Sequence, residues 1–303
     1  MNKFLLLLLA LPALGAAAVA DGDLPAGTTW YLHADLAGMR SADSGRELYR
    51  WLDGEVFVEL NDEIGIDINR EVDRVTAFAA PDGGVTIVVE GEVSKATRDK
   101  LMALVALEAG YDLRSHDGQD YFFAGDPDDE PDGRDPLGDL DDHAFFSFAV
   151  PGKLLVTSHE REMHRLIERR GRIAGGGSHS GALLVLSADS AFVQAGMRTD
   201  AIAREDGDGW DSNILRNTEE AALLVADRGG LLAVEARLKS RDPKLAQSLA
   251  SVVSGLISLQ AFNSELEPDL VAMINNTRVS VEDAVLNIST VFDPARLVEL
   301  LDD

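Results

Sequence analysis

The sequence predicts an α+β protein of two tandem β-α-β-β-α-β-β-α repeats, their antiparallel sheets covered by helices. Three observations predict it. The tetrapeptide Ala-Gly-Met-Arg stands at residues 37–40 and again at 195–198, each time downstream of a short strand, 30–36 and 183–187, and Ala188-Asp189 matches Ala34-Asp35. The elements after each copy keep one order. Strand pairs with tight turns alternate with helical stretches, the pattern of antiparallel sheets with helices on one face rather than of parallel windings.

In the first repeat, residues 21–172, aromatic and aliphatic residues at 30–36 read as a strand, and a helical stretch runs from 37 to about 60. Strands at 72–80 and 85–91 meet at Pro81-Asp82-Gly83-Gly84, and Ser94 caps a helix through about 109. A strand pair, 111–124 with 144–157, and a helix at 159–170 close the repeat. The second repeat, residues 182–303, places an extra helical turn before its tetrapeptide. Strands at 219–226 and 231–238 flank Asp227-Arg228-Gly229-Gly230, and Asp242 caps a helix with Pro243 at its first position. A strand pair, 278–282 with 285–292, and a helix at 294–301 complete it. Residues 173–181, with Gly175-Gly176-Gly177, read as a linker. They lack the Gly-Lys-Ser or Gly-Lys-Thr ending of a phosphate-binding loop.

Residues 1–20 carry Lys3, an apolar run and Ala18-Val19-Ala20, the order of a secretory signal peptide cleaved after Ala20. The alternative is an uncleaved anchor, against which Pro12 and Gly15 interrupt the run. A periplasmic or secreted location follows, which excludes ATP-dependent, nicotinamide-dependent and genome-directed functions. The chain has no cysteine, so disulfides, thiolate ligands and Cys nucleophiles are excluded. Its 303 residues hold 27 basic and 53 acidic side chains, a net charge of −26 that repels nucleic acid and anionic lipid. Such a charge favours solubility, and it attracts cations or a basic partner.

Three segments, WYLHADL (30–36), AFFSFAV (144–150) and ILRNTEEAALLVAD (214–227), resemble those of uncharacterised secreted proteins of Gram-negative bacteria. The resemblance implies an exported protein of unassigned chemistry and carries no site residues.

The densest candidate site is the acidic insertion at 125–142. Asp128, Glu130, Asp132 and Asp139 fall at calcium-ligand positions of an EF-hand loop, with Gly133 at the turn. Glu at the third position, Asp at the twelfth, two prolines and strand-like flanks depart from that pattern, which leaves a looser Ca2+ loop or a solvated acidic insertion. A second acidic loop, 204–213, surrounds Trp210, read as a core anchor. His159 and His164 are five residues apart on one helix and therefore point apart, unsuited to one zinc ion. The same helix carries Arg161, Arg165 and Arg169 on one face. These dock the acidic loop or a second copy, or stand in solvent beside Glu162 and Glu168. The helix after Asp242 presents an apolar stripe, Leu245, Leu249, Val252, Leu256 and Leu259, opposite an uncharged serine face that implies contact with the other repeat or a partner. Its serines and glutamines make it too polar to cross a membrane.

These features predict a non-catalytic binding protein whose partner is an envelope or exported protein, with no nucleic acid, no membrane span in the mature chain and no required cofactor. A calcium-responsive module using residues 126–142 is the alternative, and a hydrolase with a nonstandard carboxylate site the third reading.

Overall fold

The computed structural model describes residues 27–58, 67–79, 84–108, 110–125, 140, 143–173, 181–190, 192, 217–261, 271 and 274–294. Contacts divide the chain into two compact units, residues 21–180 and 181–303. The fold is α+β, and every strand pairing among the described residues is antiparallel.

In the first unit, β1 (Trp30–Asp35) leads into α1 (Leu36–Ser41) and α2 (Asp43–Leu52), which continues as a π turn, Asp53–Phe57. A short α3 (Ile68–Glu71) precedes the hairpin β2 (Arg74–Ala79) and β3 (Val85–Glu90). After α4 (Lys95–Glu108) come β4 (Asp112–His116), β5 (Gln119–Gly125), β6 (His143–Ser147) and β7 (Lys153–Thr157), and α5 (Glu160–Glu168) ends the unit. Its strands lie in the order β1-β2-β3-β7-β6-β5-β4.

The stretches 111–124 and 144–157, expected as one strand each, are two hairpins. Asp117 and Gly118 have φ of +49° and +72°, the two left-handed residues of a tight I′ turn, and they fold the first stretch on itself. The chain also turns back between Ser147 and Lys153.

Helices cover both faces of this sheet, not one. Adjacent strand residues enter opposite cores: Val88, Tyr121, Phe123, Phe145 and Leu155 pack under Met163, Leu166 and Ile167 of α5. Val89, Phe122, Ala124, Phe146, Leu154 and Val156 meet Leu101, Met102 and Val105 of α4. The side-chain period of two makes a continuous apolar run two-sided, and Phe122-Phe123 and Phe145-Phe146 each fill both cores. Phe123, Phe145 and Phe146, all buried, each contribute about 1.5–3 kcal/mol by burial.

The repeated tetrapeptide has a packing role in its first copy. Met39 is fully buried, and a Cβ on Gly38 would lie 2.8 Å from the Asp35 carboxylate. That carboxylate caps α1 by accepting the Gly38 N–H at 2.8 Å. Arg40 donates to the Val72 carbonyl at 3.0 Å and to Asp73 at 2.9 Å, tying α1 to the start of β2.

The second unit comprises β8 (Ala182–Asp189), β9 (Thr218–Arg228), β10 (Leu231–Ser240), α6 (Pro243–Ala261), β11 (Arg278–Glu282) and β12 (Val285–Phe292), ordered β8-β9-β10-β12-β11. Gly229 and Gly230, with φ of +65° and +89°, turn β9 into β10. Asp242 caps α6 through the Lys244 N–H at 2.9 Å.

Leu245, Leu249, Ala250 and Val253 of α6 pack on Leu238, Val279, Val281, Leu286 and Ile288 of their own unit. The expected stripe is therefore displaced: Leu245 and Leu249 belong to it, whereas Val252 and Leu259 are 38% and 69% exposed. The sheet takes the side lined by Ala250 and Val253, where a small side chain lets the helix approach. Ser248, Ser251 and Ser258 donate to carbonyls four residues earlier, so the exposed hydroxyls are satisfied within the helix itself. Among the described residues, no helix is long and apolar enough to cross a membrane.

Candidate functional site

The richest polar cluster lies where α5 crosses the β4–β5 hairpin. Strand alternation puts Arg114 and His116 on the α5 face, and Tyr121 is directly opposite Arg114. The four-residue helical repeat lines up Glu160, His164 and Glu168 on the facing side of α5. The two rows meet as a ladder. Arg114 Nη1 donates to Glu160 Oε1 at 2.6 Å, and the Tyr121 hydroxyl donates to the same oxygen at 2.7 Å. That hydroxyl also lies 2.9 Å from His164 Nε2, so with its proton given to Glu160 it accepts from the ring N–H. The His164 and His116 rings stack at 3.9 Å and 3° from parallel. His116 Nε2 lies 2.9 Å from Glu168 Oε1. Arg114 also stands over the rings of Phe123 and Phe145, at 4.6 and 5.5 Å, which holds its planar head in place.

Burial raises the proton affinity of Glu160, but the hydrogen bonds from Arg114 and Tyr121 and the charges of Arg114 and His164 outweigh it, leaving the carboxyl below the ordinary glutamate range. Burial and the Glu160 carboxylate push the Tyr121 phenol up to about 12. A phenol so stabilised stays protonated at neutral pH, so the ladder clamps hairpin to helix. Other displaced carboxyls have different neighbours. Glu90, raised by burial, is brought down overall by Lys153 and Arg74, and Glu235 is raised by burial beside Arg228.

Next to the ladder, β4 forms one edge of its unit's strand order. His116 and Gln119 close the two-residue turn as a hydrogen-bonded pair, so pairing alternates and the backbone groups of Leu113 and Ser115 face the outer edge. Leu113, Tyr111 and Leu107 are 62%, 43% and 83% exposed. Beside them opens a concavity of about 390 Å3 whose lining includes Met102, Phe122, Phe148 and Gln119.

Of the residues singled out from sequence, Asp128, Glu130, Asp132 and Asp139 lie outside the described residues, as do the 204–213 loop and residues 295–301 of the helix expected at 294–301. Arg161 and Arg165 are exposed on α5 and Arg169 is exposed at its C-cap, with Arg165 paired to Glu162 at 3.0 Å. Glu168 turns to His116. His159 is the N-cap residue just before α5, and His164 is half-buried in the ladder. Asp189 accepts the Phe192 N–H at 2.9 Å, the same three-residue reach that Asp35 makes. The ladder itself, Arg114, His116, Tyr121, Glu160, His164 and Glu168, was not anticipated. The signals for it were the Asp117-Gly118 turn and the row of residues 160, 164 and 168.

No family model and no curated protein matches the chain. Among solved structures, crystal form III of TP0453 is similar with a TM-score of 0.47 and 12% identity over 95% of this chain and 99% of that one. Crystal form I gives 0.44 and 12% over 94% and 97%, and form IV 0.43 and 12% over 93% and 96%. A likeness of this degree says nothing about what this chain binds.

Proposed function

We propose that the chain is an exported, non-catalytic binding protein, released after Ala20, that docks an extended segment of a partner protein along the outer edge of β4. The observation that carries the reading is that edge itself. Its outward backbone groups at Leu113 and Ser115 offer a template for an added strand. The exposed Leu107, Tyr111 and Leu113 and the concavity beside them supply apolar contacts for alternate side chains of that strand. The net charge of −26 favours a basic partner through its long-range field.

The two units are, on this reading, copies of one β-α-β-β-α-β-β-α repeat. Support comes from the strand orders β1-β2-β3-β7-β6 and β8-β9-β10-β12-β11, which run alike, and from the equivalent Asp35 and Asp189 caps. The hairpin β4–β5 is then what the first copy has in addition, and the docking edge belongs to that addition.

Ser115→Pro tests the proposal, because proline removes an outward N–H and leaves the pairing to β5 intact. Affinity capture from the native cell envelope with residues 21–303, followed by mild crosslinking and mass spectrometry, is expected to recover a near-stoichiometric protein. Its recovery should fall at least tenfold with Ser115→Pro at an unchanged melting temperature. Recovery of the bait alone, or of a partner indifferent to Ser115→Pro, refutes docking at β4.

A further inference from the structure

We propose that the tip of the β4–β5 hairpin and the last turn of α5 form a site for a borderline first-row divalent ion, Zn2+ by preference, held by His116 Nε2 and the carboxylates of Asp117 and Glu168. One ligand atom from each of the three residues lies within 4.8 Å of the others. His116 Nε2 is 2.9 Å from Glu168 Oε1 and 3.9 Å from Asp117 Oδ2. Ligand atoms around a tetrahedral Zn2+ at bond lengths of about 2.0–2.1 Å stand about 3.3 Å apart. The two separations from His116 bracket that value, and the two carboxylates, within 4.8 Å of each other, close on an ion by side-chain rotation.

The donor set selects the class of ion. Two carboxylates balance the double charge, and the imidazole nitrogen favours zinc and its neighbours over the all-oxygen shells of calcium and magnesium. A second observation lies outside the carboxylates: the His116 ring is held flat against His164, and His164 is fixed by the Tyr121 hydroxyl. The stacking fixes the plane of the His116 ring and with it the direction in which Nε2 faces Glu168 and Asp117. The side chains of Asp117 and Glu168 are 71% and 52% exposed, so an ion enters from solvent and retains a position open to water. The site is distinct from the edge of β4, and neither proposal requires the other.

The test is titration of residues 21–303 with Zn2+ by calorimetry, and with Co2+ by visible absorption, which reports coordination geometry and nitrogen ligation. One ion per chain is expected, with a dissociation constant on the order of micromolar. His116→Gln and Glu168→Gln should each weaken binding at least tenfold, while His33→Gln, remote on β1, should leave it unchanged. His116 is half-buried and Glu168 exposed, and far-UV circular dichroism checks that each variant is folded. Binding that persists in His116→Gln, or a many-site isotherm with an all-oxygen octahedral Co2+ spectrum, overturns the assignment and attributes uptake to scattered carboxylates.

Discussion

Replacing Tyr121 by phenylalanine removes one oxygen from the ladder and nothing else from the α5 core. The residue is 3% exposed, its ring packs with Phe145, and its hydroxyl serves Glu160 at 2.7 Å and His164 at 2.9 Å. A hydrogen bond to a charged group contributes about 1.5–3 kcal/mol. Glu160 is 38% exposed and keeps Arg114, so water recovers part of the loss, and the net cost should be about 1–2 kcal/mol. At roughly 2–4 °C per kcal/mol for a unit of this size, the first unit should melt about 2–8 °C lower. Differential scanning calorimetry of residues 21–303 reads the shift, and pH sharpens it. Glu160 is depressed in the folded chain from its ordinary 4.5, so its contribution is present above that value and lost as pH falls through the folded one. The penalty of the substitution should therefore be full at pH 7 and shrink towards pH 2. On the alkaline side the sign reverses: the raised phenol contributes stability below pH 10 that is lost as pH rises through about 12, and the variant lacks that loss. A shift below 1 °C at pH 7, or a penalty as large at pH 2 as at pH 7, would refute the clamp.

Gly91 adopts φ +152° and donates to the Gly152 carbonyl at 2.9 Å, and an added Cβ would overlap the Glu71 carbonyl oxygen. Gly91→Ala should therefore cost roughly 3 kcal/mol or more, seen as a lower urea midpoint; an unchanged midpoint would show that the backbone there yields freely. Replacing Arg161, Arg165 and Arg169 together by alanine should lower stability in a salt-sensitive way. A loss at low ionic strength no larger than the about 0.2–0.5 kcal/mol of the Arg165–Glu162 pair would discard docking of the basic face.

The chain by itself determined its local elements, because caps, turns and periodicity act over a few residues. Ser94 and Asp242 cap the helices assigned to them, the Gly229-Gly230 turn falls between its strands, and residues 278–282 and 285–292 pair within their expected bounds. The Asp117-Gly118 turn was equally local and equally legible, yet a long apolar run conceals a reversal inside it. Tertiary structure alone decided which faces are covered. Residues 122–123 and 145–146 are double phenylalanines in sequence, and only helices docked on opposite sides turn each pair into two cores. The same holds for the stripe on α6, where Val252 and Val253 are equivalent in hydropathy and the sheet chose between them. The ladder was furthest from view. Arg114 and Glu160, or His116 and Glu168, are separated by 46 and 52 residues, and no spacing rule joins a strand row to a helix row until packing has set their approach.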